Sequence, residues 1–286
     1  MYHHLFRIAL LGTLIAIIIA ACGGSIPTSA PATQAPIATE LALTATEIAP
    51  TNTPGPTATP SGPSWTYVAF GDSWPYGAHC NDCRPFPVLY ADGLEETTDH
   101  RINFVNLTTN GGTSQSLLKD IEISQKMRDA VMSADIIVIS TGANDLEDAF
   151  GLFPAGNCGG ADNFDCFRKV GEVWHTSFDG ILTQINTLRV GKPTAIRLVT
   201  NSNEALSDPG LIEIFGPNDS SGAGVFITNL HHEILCEVAA KHGAKCVDLR
   251  PVLNGPNFDK PQDVNTQEAM QAVADALLAS GLDELR

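Results

Sequence analysis

Basic residues are scarce in this chain. Lysine and arginine number 16 against 32 aspartates and glutamates, and the formal charge is −16. Binding along a nucleic-acid backbone needs a basic stripe, and electrostatic docking on anionic lipid needs a basic patch. A chain this acidic points away from both. The plain meaning of the acidity is solubility outside the cell. Long apolar runs are scarce too. One uncharged stretch, IALLGTLIAIIIAAC at 8–22, is too short to cross a bilayer core of roughly 30 Å comfortably, which takes about 20 residues. The Gly-x-Ser-x-Gly elbow of the α/β-hydrolases is missing, so that architecture of nucleophile is excluded. No internal repeat is visible, and no histidine follows His242.

The short apolar run has the shape of a secretory signal peptide. It ends in Ile19-Ala20-Ala21-Cys22, which resembles the lipobox of bacterial lipoproteins. By that resemblance residues 1–21 are removed and Cys22 carries lipid. Residues 25–63 are dense in Pro, Thr and Ala, without an aromatic residue or apolar periodicity. Such a segment cannot bury enough surface to offset its ordering entropy. Residues 22–63 therefore read as a lipidated tether, reaching about 35 Å as a coil or about 120 Å as polyproline II. A single folded domain is expected over 64–286, extracytoplasmic and lipid-anchored to a bacterial cell membrane.

Beyond Cys22 six cysteines remain, at 80, 83, 158, 166, 236 and 246. An even number in an exported chain suggests disulfides. Local pairing, 80–83, 158–166 and 236–246, is the simplest of the possible connectivities. Two alternatives compete with it: a redox pair at Cys80-Asn81-Asp82-Cys83, and a zinc site around His232 and Cys236.

Along the folded part, apolar runs that suit strands alternate with stretches of helical spacing. Strands are expected at 65–70, 103–107, 134–141, 194–200 and 244–250. Helices are expected at 85–96, 113–132 (with Thr113 as cap), 167–188, 225–243 and 264–281. Irregular stretches fill 145–166 and 201–223. This alternation gives an α/β fold with a parallel sheet covered on both faces. Ligands bind beyond the carboxyl ends of such strands. Ser73, Gly111, Asn144 and Asp145 all lie there.

Three blocks then fall in order. YVAFGDSWPYG carries Gly71-Asp72-Ser73, NLTTNGGTSQSLL carries Gly111, and VISTGANDL carries Asn144. Together they resemble the GDSL, or SGNH, hydrolase family over nearly all of residues 66–281. The resemblance implies a three-layer α/β/α sandwich with a flavodoxin-like sheet. It implies Ser73 as nucleophile, with the backbone N–H groups of Ser73 and Gly111 and the Asn144 amide as the oxyanion hole. Gly112 is the rival for Gly111. Family members hydrolyse carboxylic esters and thioesters, of lipids and acylated sugars among others, with no metal or cofactor required. Asp72 and Asp145 are expected to organise turns.

The family's last block, Asp-x-x-His, supplies the general base and its orienting carboxylate. Here it is absent. Aligning the final helix puts Pro261 and Val264 at those two positions. Three readings stay open. Another histidine has taken over: His79, His175, His231 or His232. Or a carboxylate near the last loop, Asp259 or Asp263, serves as base. Or catalysis is lost, and the domain is a cell-surface binding protein that keeps the oxyanion pocket.

Overall fold

The computed structural model describes residues 62–80 and 82–285. The signal peptide, Cys22 and all of the tether but Gly62 and Pro63 lie outside the described residues. Among these residues no helix is long and apolar enough to cross a membrane.

Five parallel strands form one sheet: β1 (Ser64–Gly71), β2 (Arg101–Thr108), β3 (Ile136–Ser140), β4 (Ala195–Val199) and β5 (Lys245–Val247). Their order is β2-β1-β3-β4-β5, the flavodoxin arrangement. The expected three-layer sandwich is therefore present. Burial explains the strand sequences. In β1, Val68 and Phe70 enter one apolar core while Tyr67 and Ala69 enter the other. Both faces are covered, so β3 and the Tyr67–Phe70 part of β1 read as continuous apolar runs rather than as alternations. β4 is buried throughout although it carries Arg197, whose guanidinium is held by Ser280 and Glu284.

One face is covered by α2 (Phe86–Thr97), α9 (Arg250–Asn254) and α10 (Gln267–Ala279). The other carries α3 (Ser114–Ile123), α4 (Gln125–Ser133), α6 (Asp165–Leu188) and α8 (Ala223–His242). The single helix expected over 113–132 is two. Ser124 ends α3, and its hydroxyl then caps α4 by accepting from the Met127 N–H. Thr113 does cap α3, in a reciprocal box with Ser116. The stretches read as irregular contain short helices, α5 (Glu147–Leu152) and α7 (Pro209–Phe215).

The three local disulfides are those expected: Cys80–Cys83, Cys158–Cys166 and Cys236–Cys246. With its sulfur bridged, Cys236 has no thiolate to offer a zinc ion, so the metal reading of His232 and Cys236 is not supported. Cys80 and Cys83 are likewise bridged.

Candidate active site

The carboxyl end of β1 is held from both sides. The Thr109 N–H donates to the Gly71 carbonyl at 2.8 Å, tying in the turn after β2. The Asp72 N–H donates to the Ser140 carbonyl at 3.2 Å, tying in the end of β3. Gly71 is required by this closeness. A Cβ there would stand 2.3 Å from the Ser140 carbonyl oxygen and 2.4 Å from the Pro75 ring. The chain then turns directly into the single-turn helix α1 (Ser73–Tyr76), with Ser73 as its first residue.

Asp72 caps this turn. Its carboxylate accepts from the Trp74 N–H at 3.2 Å and from the Ala143 N–H, so it clamps α1 to the loop after β3. Burial drives its pKa up to about 6, against the pull of those two N–H groups. Asp72 is thus an organiser of the turn, as expected. Ser73 itself is half-buried. Among the described residues neither its hydroxyl nor its N–H forms a hydrogen bond.

The second block folds so that its two glycines differ. The Gly112 N–H is used in a turn, donating to the Thr109 carbonyl at 2.9 Å. The Gly111 N–H has no partner among the described residues, and its α-carbon faces open space. Geometry therefore favours Gly111 over Gly112 as a donor. Asn144 joins the same cluster. Its amide donates one N–H to the Gly112 carbonyl at 2.9 Å, which leaves the other N–H available. Asp145 accepts from both the N–H and the hydroxyl of Ser114, each at 2.9 Å, and so locks the start of α3 to the loop after β3. Ser73, Gly111 and Asn144, three residues separated in sequence, are brought to one sheet edge.

The position aligned with the family's base holds no titratable group. Val264 is buried, its side chain part of the apolar core beneath α10, and its carbonyl accepts from the Trp74 indole N–H at 3.1 Å. Pro261 is exposed. The histidines divide cleanly. His175 is exposed on α6, as is its neighbour Glu172. His232 sits beside the Cys236–Cys246 bridge, 3.5 Å from Asp248. His231 is fully buried, packed edge-on against Trp174. Its Nδ1 accepts from the Asn201 N–H at 3.2 Å, and burial lowers its pKa to about 3, so it stays neutral. His79 is exposed and lines a cavity of about 380 Å³ with Ser207, Asp208, Asp263 and Val264. Asp259 is exposed, and Asp263 caps the Asn265 N–H at 2.9 Å.

One residue of this region escaped the sequence reading. Glu204 opens a 3-10 turn, Glu204–Leu206, just beyond the carboxyl end of β4. It lines the cavity with His79 and Val264, and also a second cavity of about 300 Å³ with Asn144. That second cavity has an apolar wall of Leu146, Phe150, Phe215 and Ile227. Some of the Glu204 surface opens onto the two cavities, but protein closely surrounds its carboxyl group. Burial, and then the negative charges of Asp208, Asp72 and Asp263, push its pKa up to about 7. An acidic residue past a strand end was the signal that could have found it; the flanking Asn-Ser-Asn gave it the look of an ordinary polar loop.

Solved structures share this architecture. The lipase Lip_vut3 from a goat rumen metagenome superposes with a TM-score of 0.61 at 18% identity, over 78% of this chain and 100% of its own. Phospholipase A1 from Streptomyces albidoflavus NA297 does so with 0.52 at 15%, over 76% and 100%. No curated protein matches by sequence. The profile of the GDSL-like Lipase/Acylhydrolase family matches residues 69–268, which takes in Ser73, Gly111, Asn144 and the loop of the missing histidine. The chain belongs to that family of SGNH-type carboxylic ester hydrolases.

Proposed function

We propose that this protein is a serine esterase that cleaves a short-chain acyl ester, carried on a lipid or a sugar, and that lipidated Cys22 holds it outside the cytoplasm on a bacterial membrane. The observation that carries the reading is the convergence at Ser73. Among the described residues, an unengaged hydroxyl stands at the start of a helix turn, with two unpaired backbone N–H groups and a half-used amide at the same sheet edge. Ser73 Oγ adds to the ester carbonyl. The N–H groups of Ser73 and Gly111 and the Asn144 amide receive the developing negative charge, the arrangement that gives acyl transfer much of its rate. The alcohol leaves, and water then releases the acid from the acyl-serine.

Asn144 lines two cavities, one of about 300 Å³ with Phe150 and Phe215 and one of about 540 Å³ with Asp145 and Lys169. Substrate size is read from the first, whose wall is the more apolar. Its volume lies at the lower end of small-molecule pockets, and its far wall is aromatic and aliphatic. A short acyl chain suits it better than a long one. The acidic surface fits a neutral ester better than an anionic one.

The test compares hydrolysis of p-nitrophenyl acetate, butyrate and palmitate by the full chain and by Ser73→Ala. The reading expects cleavage of the short esters, lost in the variant. One observation favours a second reading, a noncatalytic binding protein: the family's histidine position is Val264. Equal background rates in both proteins, together with ligand retention that survives Ser73→Ala, would establish that alternative instead.

A further inference from the structure

We infer that Glu204 is the general base of this enzyme, standing in for the histidine that the last loop lacks. This rests on Ser73 being the nucleophile of the esterase proposed above.

Position is the first ground. Glu204 lies at the carboxyl edge of the sheet, like Ser73, and lines two of the cavities there. One holds Asn144, the side-chain oxyanion donor; the other opens where the loop 261–264 would have presented a histidine. Its carboxylate is close enough to Asp72, the residue before the nucleophile, to feel its charge.

Availability is the second. Four carboxylates gather here, and three are engaged as acceptors of backbone N–H groups. Asp72 holds Trp74 and Ala143, Asp208 holds Leu211 at 2.9 Å, and Asp263 holds Asn265 at 2.9 Å. Hydrogen bonds to a charged carboxylate stabilise it and occupy lone pairs that would take a proton. The Glu204 carboxylate has no donor among the described residues, so its lone pairs are open to a proton.

Basicity is the third. The groups facing Glu204 are Asp208, Asp72 and Asp263, with His79 on the wall of the shared cavity. Burial and three negative neighbours raise its proton affinity to about neutral, where a general base is most effective.

The chemistry balances. As Oγ of Ser73 bonds to the acyl carbon, its proton passes to Glu204, directly or across one water, and the carbonyl electrons move onto the oxyanion. Collapse breaks the ester C–O bond, and the departing alkoxide takes the proton back from the Glu204 carboxyl. Water repeats the sequence on the acyl-serine, leaving acid, free hydroxyl and an ionised Glu204.

The full chain is assayed with p-nitrophenyl acetate from pH 5 to 9, alongside the rate at which a fluorophosphonate labels Ser73. Ser73→Ala, Glu204→Gln, Glu204→Asp and His79→Ala are compared, with thermal melts as the control for folding. Glu204→Gln is expected to lose about 100-fold or more in kcat/KM with KM little changed. It also loses the rise in rate centred near pH 7, and it labels correspondingly slowly. Glu204→Asp retains a basic limb, and His79→Ala keeps both rate and limb. A folded Glu204→Gln within threefold of wild type overturns the assignment, as does a pH limb that disappears with His79. If Ser73→Ala is as active as wild type, the esterase reading itself falls, and the role of Glu204 falls with it.

Discussion

The indole N–H of Trp74, one residue after the proposed nucleophile Ser73, donates to the carbonyl of Val264, at 3.1 Å. The loop that should supply a base instead braces the turn that carries Ser73. Its side chain at 264 faces the apolar core and its backbone faces α1. The loop has become a structural support.

Trp74→Phe removes that N–H and keeps the ring packed near Phe86. The Val264 carbonyl is left without its donor, a loss of about 1 kcal/mol. Urea unfolding should show that fall, and kcat should drop severalfold as the Ser73 turn loosens. An unchanged midpoint would mean that the contact carries no stability.

Asn144→Ala deletes both the proposed oxyanion donor and the tie to Gly112. A fall in kcat/KM of about 100- to 1,000-fold is expected, with a smaller change in KM. Steady-state kinetics on p-nitrophenyl acetate would measure it. A change confined to KM would assign Asn144 to substrate binding alone.

Gly142→Ala tests the wall behind the site. Gly142 has φ of +124°, and a Cβ there would meet His231 Nε2 at 2.9 Å and Trp174 Nε1 at 3.1 Å. Its carbonyl also accepts from the Trp174 indole at 3.1 Å. Backbone strain of this kind costs about 1–3 kcal/mol. The melting temperature should fall, and activity with it, because Ala143 and Asn144 follow directly in the chain.

Stability should respond to pH from both sides. Glu204 and Asp72 bind a proton more tightly folded than unfolded, with values near 7 and 6. Their contribution is full below the unfolded value near 4 and is lost as pH rises through the folded one. His231 acts in the opposite sense: its contribution is full above 6.5 and is lost as pH falls toward 3. Glu204→Gln, neutral at every pH, should melt near wild type at pH 4 and above it at pH 8. Calorimetry across that range decides, and a pH-independent difference would contradict the burial of the Glu204 charge.

Much of this fold was legible because its signals are local. A buried parallel strand reads as a short apolar run, so β1 and β3 stand out in the sequence. Gly243 ends α8 in a left-handed conformation, and Thr266 caps α10. The disulfides were legible because each bridges neighbours in the chain. The break at Ser124 was not, because a serine within an amphipathic pattern carries no mark of whether it caps or continues.

Sequence by itself determined which polar groups stand at three strand ends, where Gly71-Asp72-Ser73, Gly111 and Asn144 follow short apolar runs in a recognisable order. It also determined that the usual histidine is absent, since no histidine lies beyond His242. Only the tertiary structure set Gly111 apart from Gly112, through a single turn hydrogen bond that uses the Gly112 N–H. It alone separated Glu204 from the many acidic residues of the chain. Proton affinity depends on burial and on charges contributed by distant segments, Asp72 from the first strand end and Asp263 from the last loop, and no local pattern in a sequence encodes that.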